Sequence, residues 1–327
     1  MTKRIVLAGG GHAHLAVLAE WLKRPCDQED RVLIMPSERS AYSGMLPGWM
    51  AGIYAEEEMF IPVAQLARKA GARVVTALVT ALDADTQTLQ MSNGESLGFD
   101  LLSLATGGEV PSDGFAMLEA KLLTVRPVER FVQDWAQFVA DAPQLRSPHV
   151  AIVGGGAGGV ELALAAHARL SQIADSFRIS LITPKSDFLT GHASSVRRRV
   201  LAAMRERRIN LHWSWAKAED GLIALEDGRK IAADAVIAAT GSQAQVWLAA
   251  SGLACDPQGY VLVRPTLQSA SHPNIFAAGD IAQRTDRPLA RSGVHAVKSG
   301  PVLANNARQL AHPASEPVSL KSYDPRT

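Results

Sequence analysis

Two short apolar runs in this chain stop at glycines. Ile5-Val6-Leu7-Ala8 ends in Gly9-Gly10-Gly11, and Val150-Ala151-Ile152-Val153 ends in Gly154-Gly155-Gly156-Ala157-Gly158-Gly159. A helical pattern follows each, over about 12–23 and 160–170. A strand that turns through Gly-x-Gly into a helix aims backbone N–H groups at one point, and the helix end adds roughly half a positive charge there. Such a point binds a diphosphate, provided no side chain blocks the approach. Gly154, Gly156 and Gly159 complete the Gly-x-Gly-x-x-Gly spacing. The first copy supplies Gly9 and Gly11, but His14 occupies the third place, where glycine ordinarily permits close helix–strand packing. His12 and His14 therefore read two ways. They fill space beside the turn, or a neutral imidazole donates to the bound ligand.

The second strand of such a unit often ends in an acidic residue that holds an adenosine ribose. Here the two positions are Met35 and Thr183. In the first copy Ser37 or Glu38, followed by Arg39, lies close enough to substitute. In the second, Lys185 follows instead, either as a solvated lysine or as a partner for a 2′-phosphate. Arg197-Arg198-Arg199 reads as a solvated helix face, with a phosphate contact as the alternative.

The elements that must position these residues repeat as well. Second apolar strands are expected at 31–35 and 179–183, and short strands with turn signals follow at Asn93-Gly94 and Asp227-Gly228. Each copy then closes on an apolar strand ending in Ala-Thr-Gly, over 101–107 and 236–241. Continuously apolar short strands alternating with helices read as parallel strands buried on both faces. The fold class is α/β, with two Rossmann-like dinucleotide-binding domains, each a parallel sheet plus a small β-meander. Between them, Phe131, Trp135, Phe138 and Val139 at helical spacing predict a helix that buries them. Residues 274–280 supply a further strand and turn, 291–309 a helix, and 321–327 a polar tail without a cap.

Composition narrows the function classes. With 327 residues the chain is long enough for two domains. Lys+Arg 33 against Asp+Glu 32 gives a net charge of +1, which provides no global field for nucleic acid or an anionic membrane. Cys26 and Cys255 are far apart, which excludes a disulfide framework and any CxxC metal or dithiol motif; no metal site is expected. Two reduced thiols, no leader at Met1-Thr2-Lys3-Arg4 and no membrane-spanning apolar run lead us to expect a cytoplasmic protein.

Two glycine turns, two Ala-Thr-Gly strands and the late Ala277-Ala278-Gly279-Asp280 resemble the FAD-dependent pyridine nucleotide-disulfide oxidoreductase superfamily over essentially the whole chain. The resemblance implies that the first turn holds FAD and the second NADH or NADPH. It implies a discontinuous FAD domain over 1–115 and 252–327, with a nicotinamide-nucleotide domain over 116–251 inserted. In this likeness His12, Ala13 and His14 border the flavin nucleotide, Ala105, Thr106 and Gly107 line its path, and Asp280 after Gly279 meets the ribityl chain. Gly241 belongs to the second cradle, and Glu161 lies toward the nicotinamide. Gly9 to His14, Tyr42 to Gly48, Arg126 to Phe131 and Gly293 to Pro301 are similar to a type II NADH dehydrogenase-like branch, also found fused to selenophosphate synthetase. The flavin ring is then expected near Tyr42, Met45, Pro47 and Lys298. Lys298 is either a surface lysine or the cation that stabilises reduced flavin.

Three departures bear on the acceptor. No paired cysteines lie near the expected flavin, so thiol–disulfide exchange and sulfide oxidation are disfavoured. Gly293-Val294-His295 stands where type II dehydrogenases carry a glutamine-bearing quinone motif. Relatives continue past a segment like Tyr323-Asp324-Pro325-Arg326 into a third region that in some contacts a membrane or a partner; this chain reads as a shortened or a natural minimal form. The expected activity is hydride transfer from NAD(P)H to flavin, with electrons passed to an unidentified quinone or small redox partner. A flavin-binding regulatory or scaffold subunit and a selenium-linked reductase are the alternatives, and the oligomeric state is open.

Overall fold

The computed structural model describes residues 2–26, 28–111, 113–289, 291, 293–312 and 319–325. Met1, Arg326 and Thr327, named above in the opening and the tail, lie outside the described residues. The chain divides into two compact units, one of residues 1–40, 60–108 and 243–327, the other of 41–59 and 109–242.

The first unit is built on a five-stranded sheet with Lys3–Ala8 in the middle. That strand runs parallel to Glu29–Met35 on one side and Leu101–Leu104 on the other, and Arg73–Thr76 and Ile275–Ala277 form the edges. Side chains alternate between two separate cores, as strand geometry requires. Ile5 and Leu7 join Trp21, Leu33, Phe276 and Leu303 under helices His12–Lys23 and Gly293–Ala311. Val6 and Ala8 join Ile34, Leu89, Leu102 and Val261 on the other face. The antiparallel meander Val79–Asp83, Thr88–Met91 and Ser96–Gly98 covers part of that face, with Asn93-Gly94 in its tight turn.

The second unit repeats the plan. Its sheet runs Leu122–Thr124, Ala235–Ala238, His149–Val153, Arg178–Thr183, Asn210–Trp213, all parallel. Ala151, Val153, Ile182, Ile223 and Val236 share one core beneath the meander Ala216–Glu219, Leu222–Leu225 and Lys230–Ile231. Helix Val128–Asp141 buries Phe131, Val132 and Trp135, while Phe138 and Val139 are only partly covered.

Three details differ from the sequence reading. Helix Ala157–Ile173 begins before Val160, because it starts directly at Gly156 and runs through Gly158 and Gly159. The segment 41–59 packs within the second unit, where Trp135 Nε1 donates to Met50 O at 3.3 Å and Gln172 Nε2 to Ala51 O at 3.2 Å. The tail is not merely polar: Tyr323 is buried in the first unit's core. Among the described residues no helix is long and apolar enough to cross a membrane.

Candidate functional site

Parallel pairing brings three loops of the first unit to one edge of its sheet, at the carboxyl ends of adjacent strands. Gly9-Gly10-Gly11 follows Lys3–Ala8, Ala105-Thr106-Gly107 follows Leu101–Leu104, and Gly279-Asp280 follows Ile275–Ala277. The strand ends are tied by Ala105 N donating to Ala8 O at 2.8 Å and Ala278 N to Leu104 O at 3.0 Å. Gly9 lies at φ +97°, and a Cβ there would run into the Ala105 carbonyl; one on Gly11 would lie 2.6 Å from the same oxygen. Helix His12–Lys23 then starts at Gly11 without a side-chain cap. Its first amides point past the turn, the arrangement that receives an anion.

The second unit reproduces this cradle and separates the duties of its glycines. Gly154, at φ +123°, approaches the carbonyl of Ala239, which opens Ala239-Thr240-Gly241 just as Ala105 opens the first Ala-Thr-Gly. A Cβ on Gly159 would collide with the Gly154 carbonyl. Gly156, at the uncapped start of helix Ala157–Ile173, faces space with nothing within 4 Å. One glycine thus makes the turn, one allows helix and strand to touch, and one keeps the approach to the amides clear. Gly241, at φ +105°, also opens on clear space.

His14 corrects the reading of it as a donor to phosphate or flavin. Its ring is fully buried, with Nδ1 2.7 Å from the Gly9 carbonyl and Nε2 2.8 Å from Ser103 Oγ. A carbonyl only accepts, so Nδ1 carries the proton, and Nε2 accepts from the Ser103 hydroxyl. Burial pushes the imidazole down to about 4, outweighing the bond to Gly9, so it stays neutral. The histidine grips the carbonyl equivalent to the one Gly159 must leave room for in the second unit. It braces the turn from behind. The Ala13 side chain is core, so only its backbone is left to face a ligand.

The other candidates fall as follows. Glu38 offers both carboxylate oxygens to Arg68, at 2.6 and 2.7 Å, and that guanidinium holds its carboxyl below the usual range. Ser37 Oγ accepts from Arg39 N at 3.4 Å, and the Arg39 guanidinium lies 3.9 Å over the Phe60 ring. Thr183 is buried, donates to Pro184 O at 3.2 Å and fills the space beside Gly155. Lys185 and Glu161 are exposed in the second unit. Met45 and Pro47 are partly buried in the segment 41–59, and Lys298 is exposed on helix Gly293–Ala311 of the first unit. Besides Arg68, two further residues escaped the sequence reading. Ser103 was visible as the one polar residue inside Leu101-Leu102-Ser103-Leu104, where a buried hydroxyl demands a partner. Gln245 carried no signal, yet its Oε1 accepts from Thr106 Oγ1 at 2.5 Å.

Known proteins are similar to this chain. Ferroptosis suppressor protein 1 of Taeniopygia guttata is 28% identical over 257 residues, 74% of this chain and 66% of that protein. A demethylphylloquinone reductase of Synechocystis is 28% identical over 278 residues, 80% of this chain and 64% of that protein. The chain thus spans a little under two thirds of the length of these relatives. NDH2 of Plasmodium falciparum, solved in complex with NADH, matches in fold with a TM-score of 0.84 at 15% identity, covering 99% of this chain and 86% of that one. The model of one family, the pyridine nucleotide-disulphide oxidoreductases, matches residues 3–311. That span contains both glycine turns, both Ala-Thr-Gly loops and Gly279-Asp280, and the chain belongs to this family.

Proposed function

We propose that the chain is an FAD-dependent NAD(P)H:acceptor oxidoreductase of the non-dithiol, NADH dehydrogenase-like kind. The observation that carries this reading is the repeated cradle: an uncapped helix start at a glycine turn that closes on an Ala-Thr-Gly carbonyl, once in each unit. The open face of Gly156 fits a dinucleotide diphosphate, because a side chain would occupy that space. In the first unit the fit rests on the uncapped amides after Gly11 and on the loops at 105–107 and 279–280 sharing one sheet edge.

Bound FAD would supply the redox chemistry, taking hydride from a reduced nicotinamide and releasing electrons to a second acceptor. The chain's own residues bind and orient. Gly10 to Ala13 offer amides to the FAD diphosphate, while the Gly9 amide is tied to Ile34 O at 2.7 Å and His14 and Ser103 fix the Gly9 carbonyl from inside the fold. Glu38, held by Arg68, faces the adenosine end, and Asp280 the ribityl chain. Gly154 to Gly159 hold the nicotinamide dinucleotide, with Glu161 toward its reactive end and Lys185 toward its ribose. Lys298, on helix Gly293–Ala311 of the first unit, counters negative charge on the reduced flavin. The relatives' names favour a quinone as acceptor. Two free cysteines fit a reducing, cytoplasmic compartment.

The test is the visible spectrum of the purified chain, recorded anaerobically before and after NADH and NADPH. A flavin spectrum bleached by either donor is expected. A colourless chain that cannot be loaded with FAD overturns the proposal, and a yellow chain that neither donor bleaches replaces it with a flavin-binding scaffold.

A further inference from the structure

Cys26, Glu29 and His312 lie together on the first unit, by the end of its sheet where strands Lys3–Ala8 and Glu29–Met35 begin and not the end where the glycine turn follows, and nothing in the proposed redox chemistry uses them. One ligand atom from each lies within 4.8 Å of the other two. Three elements meet there. Cys26 sits in the connection after helix His12–Lys23, Glu29 opens the strand Glu29–Met35, and His312 follows helix Gly293–Ala311, its N–H donating to Arg308 O at 3.0 Å. We propose that these three side chains form a binding site for a single divalent zinc ion, with a fourth position left to water.

The donor set selects the metal. A thiolate, an imidazole and a carboxylate suit Zn²⁺, whereas Mg²⁺ and Ca²⁺ take oxygen. Bonds of about 2.3 Å to sulfur and about 2.0–2.1 Å to nitrogen and oxygen place tetrahedral ligands roughly 3.3–3.6 Å apart. His312 Nε2 now lies 2.6 Å from Glu29 Oε1, so the pair opens by less than an ångström to admit the ion. Zinc takes the place of the proton between His312 Nε2 and Glu29 Oε1 and displaces the Cys26 thiol proton to solvent, and the thiolate and carboxylate together balance its charge.

Glu29 is also held as ligating carboxylates are. Its side chain is 4% exposed, and its second oxygen accepts from Arg31 Nε at 2.6 Å. Arg31 is fixed in turn by the carbonyls of Trp21, Arg24 and Ala70, at 3.4, 3.0 and 3.2 Å. Oε1 is thereby turned toward His312 and Cys26. The sequence offers no spacing signal for this site, since His312 is 283 residues from Glu29. An ion there would pin the end of helix Gly293–Ala311 to the connection ahead of the second strand.

The test uses the untagged full chain, stripped with a chelator and titrated with zinc chloride by calorimetry. X-ray absorption at the zinc edge is then measured at one equivalent. Stoichiometric binding is expected, with one sulfur near 2.3 Å and three nitrogen or oxygen neighbours near 2.0–2.1 Å. Cys26→Ser removes the sulfur shell and His312→Ala weakens binding at least tenfold, while Cys255→Ser changes neither. Both ligand variants alter partly or largely exposed side chains, so they keep the fold, which circular dichroism checks. No stoichiometric binding, or a sulfur shell that survives Cys26→Ser, overturns the site. Either result leaves the oxidoreductase reading untouched, because neither readout involves flavin.

Discussion

His14 shows what a single residue contributes when its chemistry is turned inward. The folded imidazole titrates near 4 and the unfolded one near 6.5. Between those values the unfolded chain binds more protons, so the stability His14 preserves is complete above 6.5 and is lost as pH falls toward 4. The full loss amounts to about 3 kcal/mol at roughly 1.4 kcal/mol per pH unit. Urea unfolding of wild type and His14→Gln across that window checks this: the wild type should lose more stability on acidification than the variant. Parallel losses would show that the ring is not held neutral. The glycines of the second cradle give a sharper contrast. Gly156→Ala enters open space, so stability should change by under about 1 kcal/mol while affinity for the nicotinamide nucleotide drops at least tenfold. Gly159→Ala instead presses on the Gly154 backbone, and its cost of about 1–3 kcal/mol appears without any ligand. Thermal melts and nucleotide titration of the two variants separate the duties; equal behaviour would refute the division.

At the scale of elements, the C-terminal segment is the part the sequence conceals. Asn306 is fully buried on helix Gly293–Ala311, and its amide donates to Thr266 O at 2.9 Å and Lys321 O at 2.8 Å while accepting from Lys321 N at 2.8 Å. Tyr323 closes the clasp, its hydroxyl 2.8 Å from His295 Nδ1 and its carbonyl accepting from Arg284 at 2.7 Å. Asn306→Ala strands those backbone groups, at about 1–3 kcal/mol each if they stay buried. The expected outcome is faster proteolysis within 319–325, with the rest of the first unit intact by mass spectrometry; an unchanged cleavage rate would show that the clasp does not hold the tail. The sequence made the strands, both glycine turns and both Ala-Thr-Gly loops legible, because apolar runs and glycine spacing are local properties. It hid the roles of Asn306, Gln245 and Arg68, because each works through a partner at least 15 residues away. His14 was visible with two readings open: its position named the turn, and its partner Ser103, on another strand, decided which way the ring faces.

On the scale of the molecule, each unit carries its own parallel sheet and its own apolar core. Two separate cradles then imply two separately addressable ligands. A ligand that binds only the folded state adds about 2.7 kcal/mol at a hundredfold excess over its Kd. That stabilisation should appear in the unit that binds it. Hydrogen exchange on the flavin-free chain reads this directly. FAD is expected to protect the amides of 9–14 and 105–107, and NADP⁺ or NAD⁺ those of 154–161 and 239–241. Of the two nicotinamide nucleotides, the phosphorylated one should protect at lower concentration, because Thr183 is buried and leaves no carboxylate for a ribose, while exposed Lys185 can meet a 2′-phosphate. Lys185→Glu should reverse that order, by about tenfold for each 1.4 kcal/mol of lost attraction. Protection by FAD at 154–161 would exchange the two assignments, and an order unmoved by Lys185→Glu would remove this lysine from nucleotide choice.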